Sequence, residues 1–200
     1  MTQTAPPAAD PRPLFGRALD TALATLDAVR PDQLTAATPC TDFDVRALLG
    51  HLVAVLRRVA AVGRGEDPLS VPHVVTEVPD DGWGAAASAA ARELGDVWAD
   101  DALLTRPVRL PFGTLPGAAA VTSYAGELTT HTWDLARATG QHPAWDPTVL
   151  QAGLAAIRAK LPTPTRAEGI PFGDAVPVPD DAPLIDRLVA WQGRDPHWSA

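Results

Sequence analysis

A carboxylate and an imidazole lie four residues apart in the segment GELTTHTWDLARATG, residues 126–140. Residues four apart in an α-helix lie on one face, about 6 Å apart along the axis, so Glu127 and His131 would project together. Two such side chains can bind one divalent ion, as the paired histidines of the HExxH motif bind zinc, although the E-x-x-x-H spacing is far less specific. The alternative is a solvated pair on the helix surface, which chance produces often.

A third ligand is available in a second apolar segment, ALLGHLVAVL, where His51 is surrounded by residues that predict an inward-facing ring. If the two helices are neighbours, two imidazoles and one carboxylate converge, which is a common catalytic zinc set with an open position. The alternative is a core histidine that is hydrogen-bonded to a backbone carbonyl. Asp134 follows His131 by three residues, and we expect it to pair with an arginine or, alternatively, to orient a ligand imidazole.

The other reactive side chains carry weaker signals. Cys40 precedes a predicted helix, whose N-terminus would favour a thiolate, but no base lies nearby in sequence and we interpret it as a small apolar filler. His73, His142 and His197 fall in predicted loops or near the chain end, and we assign them no role.

Length, charge and cysteine content narrow the class of protein. The 200 residues, 46% of them apolar, predict one helical domain over residues 13–200 after a disordered tail of residues 1–12. A net charge of −8 without a basic cluster argues against a nucleic-acid partner. The N-terminal segment does not read as a signal peptide, no apolar run reaches the roughly 20 residues that could span a membrane, and the sequence has a single cysteine. We therefore expect a cytoplasmic protein with no membrane partner.

Apolar periodicity and turn residues divide the chain mainly into helices. The extended segment RPVRLPFGTLPG predicts a hairpin, and five prolines between residues 161 and 181 predict an irregular proline-rich strap. Because the helices dominate, the predicted fold is all-α, a four-helix bundle with additional short helices. The predicted helices cover residues 13–30, 41–63, 82–102, 117–140, 146–161 and 184–193.

Four motifs in order along the chain carry a family resemblance: TPCTDFDVRALLGHL, LPFGTLPG, GELTTHTWDLARATGQ and LIDRLVAWQGRDPHW. Together they resemble the DinB-like metal-binding proteins, in the branch similar to the N-terminal domain of mycothiol-dependent maleylpyruvate isomerase, over about residues 14–198. The resemblance implies a four-helix bundle with a long crossover and a divalent ion held by His51, Glu127 and His131, with zinc expected and nickel as an alternative. The isomerases have a further C-terminal domain, for which 200 residues leave no room, and we expect the final helix to cover part of the site instead.

The resemblance also implies a chemistry, that of a metal-dependent enzyme that binds a low-molecular-weight thiol such as mycothiol. A coordinated thiol loses its proton and becomes a nucleophile, which fits a thiol S-transferase or a thiol-dependent isomerase acting on a small electrophile. We expect Phe112 and Phe172, in the hairpin and the strap, to contact the rest of the thiol. The alternatives are a non-catalytic metal or small-ligand binding protein and a metal-dependent hydrolase, for which Asp134 and Tyr124 are unconvincing bases. We also expect a homodimer or weak self-association.

Overall fold

The computed structural model describes residues 10–170 and 172–199, and the regular structure within them is helical apart from one two-stranded antiparallel sheet. The predicted all-α fold is confirmed. The elements, in order, are α1 (Arg12–Asp27), α2 (Val45–Arg64), α3 (Trp83–Trp98), α4 (Ala102–Thr105), β1 (Pro107–Leu110), β2 (Gly113–Pro116), α5 (Gly117–Thr139), α6 (Pro147–Lys160) and α7 (Leu184–Trp191).

Four long helices, α1, α2, α3 and α5, form the bundle. Helix α2 packs on α3 and α5, α1 packs on α5 and α3, and α2 is buried along most of its length. The guanidinium of Arg106 donates to the carbonyl of Gly63, and the Arg106 carbonyl accepts from the Gly117 amide at 2.9 Å. The end of α2 therefore lies beside the start of α5, and the two helices run antiparallel.

Helices α6 and α7 extend the bundle beside α5. They share a second, smaller apolar cluster formed by Leu150, Leu154 and Leu188. The Asp146 carboxylate caps α6 by accepting from the amides of Thr148 and Val149 at 2.8 and 3.0 Å, as the Asp-Pro start of this helix predicts.

The ends of α2 differ from the sequence prediction. Asp44 is the N-cap, three residues after the predicted start at residue 41, and accepts from the Ala47 amide at 2.8 Å; its backbone is extended and pairs with Ala37 in an antiparallel bridge. Gly65, with φ of 79°, ends the helix in the left-handed conformation. Gly63 is instead helical, and a Cβ there would lie 2.5 Å from the Val97 side chain, so its role is close packing against α3.

The first and third helices are shorter than predicted. Helix α1 ends at Asp27 with Ala28 as its C-cap, and a 3₁₀ turn follows at Pro31–Gln33. Helix α3 ends at Trp98, where the Arg12 guanidinium donates to the Trp98 carbonyl at 3.2 Å and replaces its helical partner. The short helix α4 then follows.

The hairpin, the long helix α5 and the irregular strap follow the sequence prediction. Strands β1 and β2 pair from Pro107 with Pro116 to Leu110 with Gly113, and α5 ends at Gly140 with φ of 69°. Between α6 and α7 the described residues form no regular helix or strand. The predicted tail lies largely outside the described residues, which begin at Asp10. No described helix is long and apolar enough to cross a bilayer.

Candidate metal centre

His51 lies near the middle of α2 with its ring in the interior. Only 3% of the residue is exposed, and Nδ1 lies 3.0 Å from the backbone carbonyl oxygen of His73. A carbonyl oxygen can only accept a hydrogen bond, so Nδ1 carries a proton and Nε2 is the ring atom that can offer a lone pair to an ion. The ring is further fixed by Phe43, which stacks on it at 5.1 Å between centroids.

His131 lies on α5 and is oriented in the same way by a carboxylate. Its Nδ1 lies 3.0 Å from Oδ2 of Asp134, one helical turn further along. Arg194 donates from Nη2 to the same oxygen at 3.1 Å and from Nε to Oδ1 at 3.3 Å. Asp134 therefore both pairs with an arginine and bonds an imidazole, the two roles that sequence analysis treats as alternatives. As in His51, Nδ1 donates to its neighbour, and Nε2 is the ring atom that can offer a lone pair to an ion.

The structure brings His51, Glu127 and His131 together. Each offers a ligand atom within 4.8 Å of the other two, and the two rings meet edge-on at 4.8 Å between centroids. Nε2 of His51 lies 3.6 Å from Oε1 of Glu127, which is too long for a hydrogen bond. In a tetrahedral zinc site with bonds of about 2.1 Å, neighbouring ligand atoms are about 3.4 Å apart. The donor set and its spacing therefore fit a divalent ion.

The three side chains differ in their access to solvent. The side chain of His51 is 4% exposed, that of His131 14% and that of Glu127 31%, so a ligand can approach from the side of Glu127. Desolvation raises the pKa of the Glu127 carboxyl, but the adjacent His51 ring, His131 and the buried Arg58 outweigh it and leave the pKa below its ordinary value. Glu127 is therefore ionised, as a metal ligand requires.

The segment that orients His51 is the turn of residues 68–75, between α2 and α3. Hydrogen bonds attach this turn to α2 at both of its ends. Arg58, two helical turns beyond His51, is 7% exposed and donates to the carbonyls of Pro68 and Pro72 at 3.2 and 3.1 Å. The Val75 amide donates to the carbonyl of Gly50 at 3.1 Å. These contacts hold the intervening carbonyl of His73 against the His51 ring.

His73 and Cys40 have surroundings that the sequence did not predict. The backbone carbonyl of His73, a residue to which the sequence assigns no role, orients the His51 ring, and the His73 ring lies 4.7 Å from the His51 ring. Cys40 is half-buried, within 4.8 Å of ligand atoms of His131 and Asp134, so it lines the site rather than filling the core. Burial raises the pKa of its thiol, which favours the protonated form.

Tyr124 lies on α5 three residues before Glu127, and the two predicted thiol contacts lie beside Lys160 at the end of α6. The Tyr124 hydroxyl is buried and makes no hydrogen bond with any residue that the structure describes. Burial raises the pKa of this phenol, with Glu127 adding to the effect. Phe112 and Phe172 meet on Lys160, whose Nζ lies 4.2 and 5.8 Å from their ring centroids. Their contact with a thiol stays a prediction.

An all-α bundle that joins two imidazoles and a carboxylate from facing helices has the architecture of a DinB-like protein. Residues 15–136 match the family described as the mycothiol maleylpyruvate isomerase N-terminal domain. The match covers more than half of the chain, and the protein belongs to this family.

Similar proteins agree with this assignment. Two Mycobacterium tuberculosis proteins, Rv0738 of strain H37Rv and MT0763 of strain CDC 1551, both described as uncharacterized, are 36% identical over 186 residues, which cover 92% of this chain and 98% of theirs. The crystal structure of a histidine-to-alanine variant of mycothiol-dependent maleylpyruvate isomerase superimposes with a TM-score of 0.58, covering 76% of this chain and 68% of that one at 13% identity. This likeness shows a shared fold.

Proposed function

We propose that the protein binds a divalent ion, with zinc expected, through His51, Glu127 and His131. The observation that carries the proposal is the pair of hydrogen bonds made by the two Nδ1 atoms, each 3.0 Å long. Histidine ligands in metalloproteins regularly donate their second ring N–H to a carbonyl or carboxylate, which fixes the tautomer and the ring plane. Here the His51 ring donates to a carbonyl and the His131 ring donates to a carboxylate.

The proposed chemistry is activation of a low-molecular-weight thiol, with mycothiol as the first candidate because the family and the solved bundle are both named for it. A divalent ion with an exchangeable position would lower the pKa of a bound thiol and supply a thiolate at neutral pH. The protein would then act as a thiol S-transferase or a thiol-dependent isomerase on a small electrophile.

The residues of this chain have separate tasks in that scheme. Nε2 of His51 and Nε2 of His131 would each donate a lone pair to the ion, and Glu127 would supply one negative charge from the more exposed side of the site. Three protein ligands leave at least one position for an external ligand. Soft sulfur is a better ligand for zinc than water at that position.

Metal analysis of the purified protein tests the first part of the proposal. We expect about one divalent ion per chain, and His51→Ala, Glu127→Ala and His131→Ala should each lose most of it while the far-ultraviolet circular dichroism stays helical. His142→Ala is the matched control, because His142 is exposed and lies outside the site. Wild-type protein that neither contains nor takes up a divalent ion would refute the metal site.

Cobalt substitution tests the thiol. Adding mycothiol to the cobalt protein should produce an intense sulfur-to-metal charge-transfer band, which Glu127→Ala should weaken. If the protein binds cobalt but millimolar thiol leaves the spectrum unchanged, the metal site stands and thiol activation is wrong. Comparison with cysteine and glutathione shows whether the rest of mycothiol is recognised.

A further inference from the structure

The segment from α7 to Ser199 lies outside the family match, which ends at residue 136, yet it is fastened to α5 beside the candidate ligands. Gln192 donates to the Thr130 hydroxyl at 2.8 Å. The Arg137 guanidinium donates to the Trp198 carbonyl at 2.5 Å. Between these contacts, Arg194 reaches Asp134.

The ion pair between Arg194 and Asp134 is buried and bidentate. Asp134 is fully buried, and the Arg194 side chain is 14% exposed. Nε approaches one carboxylate oxygen at 3.3 Å and Nη2 the other at 3.1 Å, so the guanidinium fixes the plane of the carboxylate. The oxygen that faces Nη2 is also the one that lies 3.0 Å from Nδ1 of His131.

We propose that Arg194 is a positioning residue for the metal centre and acts through Asp134 on His131. The proposal rests on the proposed metal site and adds to it a component from outside the family domain. The carboxylate of Asp134 can hold the His131 ring in one orientation only while its own rotation is restricted. Arg194 imposes that restriction and supplies the positive charge that a buried carboxylate needs.

A purely structural ion pair would fasten the segment without affecting the ligand, and variants of this segment separate the two roles. Arg194→Met keeps most of the aliphatic stem but removes both donors. Arg194→Lys keeps the positive charge and loses the bidentate geometry of the contact. Gln192→Ala is the matched control, because it removes a buried contact between the same segment and α5 that does not involve Asp134.

Metal affinity, measured by competition with a chromogenic chelator, is the first readout. We expect Arg194→Met to weaken binding by about 10- to 100-fold, the usual effect of removing a partner behind a metal ligand. Arg194→Lys should recover part of the loss, and Gln192→Ala should stay near wild type although its melting temperature also falls. Equal losses of affinity in Arg194→Met and Gln192→Ala, or wild-type affinity in Arg194→Met, would overturn the proposal.

Imidazole nitrogen chemical shifts of the metal-free protein at pH 8 provide a readout independent of the metal. We expect His131 to be the Nδ1–H tautomer in wild type and in Gln192→Ala, and a mixture of tautomers in Arg194→Met. Wild type without metal affinity would refute the proposed function, while these shifts would still decide the effect of Arg194 on His131. A single Nδ1–H tautomer in Arg194→Met would show that Asp134 holds the ring without Arg194.

Discussion

Gly50→Ala tests whether the turn that ends at Val75 controls the His51 ligand. A methyl group at position 50 would lie 2.8 Å from the Val74 side chain and closer still to the carbonyl oxygen of Val75, where real Cβ contacts begin at 3.0 Å. The backbone oxygen cannot rotate away as a flexible side chain can, so the turn itself must move. Ordinary contact at 3.4 Å requires a withdrawal of about 1 Å.

The size of the effect follows from the hydrogen bond two residues earlier. If the His73 carbonyl moves with Val75, its separation from Nδ1 of His51 grows from 3.0 Å to about 4 Å, and the bond is lost. We expect metal affinity to fall by about 10- to 100-fold. Overpacking costs about 1–3 kcal/mol, and the better helix propensity of alanine returns up to about 1 kcal/mol, so the metal-free protein should be slightly less stable.

Gly126→Ala is the matched control for this experiment. Gly126 precedes Glu127 on α5 as Gly50 precedes His51 on α2, but among the described residues no atom beyond the adjacent residues and the local helix backbone lies within 4 Å of a Cβ built there. This variant should gain up to about 1 kcal/mol of stability and keep wild-type metal affinity. Thermal unfolding and chelator competition measure both quantities. If Gly50→Ala behaves like Gly126→Ala in both assays, the turn does not control the ligand and the reasoning is refuted.

Three further outcomes are expected. Chelation should lower the melting temperature of metal-loaded protein, since a free ion at 100 times its Kd contributes about 2.7 kcal/mol; scans with and without EDTA should coincide for His131→Ala. Tyr124→Phe should stabilise the metal-free protein by about 1–3 kcal/mol, because the buried hydroxyl has no partner among the described residues; a lower melting temperature would contradict this. Desolvation raises the pKa of the Asp134 carboxyl, but His131 and Arg194 outweigh this effect and hold the pKa below its ordinary value. The ionised carboxylate therefore stabilises the folded protein. This stabilisation is complete above the unfolded-state pKa of about 3.9 and is lost as pH falls through the folded-state pKa of Asp134. Denaturant unfolding of wild type should therefore weaken more steeply below pH 4 than that of Asp134→Asn, and parallel curves would contradict the linkage.

The three candidate ligands were accessible to sequence analysis because each carries a local signal. Glu127 and His131 share one helix at a spacing that fixes their common face, and the apolar residues around His51 left its ring no other direction than inward. The adjacency of α2 and α5 was the one long-range assumption, and the bundle supplies it.

The groups that orient the ligands have no such signal. The acceptor for His51 is a backbone carbonyl, which any residue at position 73 would offer, so its identity depends on the path of the turn. Arg194 lies sixty residues from Asp134 and follows no periodicity that would pair them. The predicted end of α2, at residue 63, is wrong for a similar reason. Gly63 packs against Val97, and Gly65 ends the helix.

The link from Arg194 to His131 also has a consequence for the order in which the site matures during synthesis. At about 5–20 residues per second, the ribosome adds Arg194 several seconds after Asp134, and α5 can pair with α2 in that interval. A nascent chain would then hold all three ligand residues before the arginine that steadies one of them exists. Metal captured at that stage should exchange more readily than metal bound by the finished chain, so tight retention would begin only after Arg194 has left the exit tunnel.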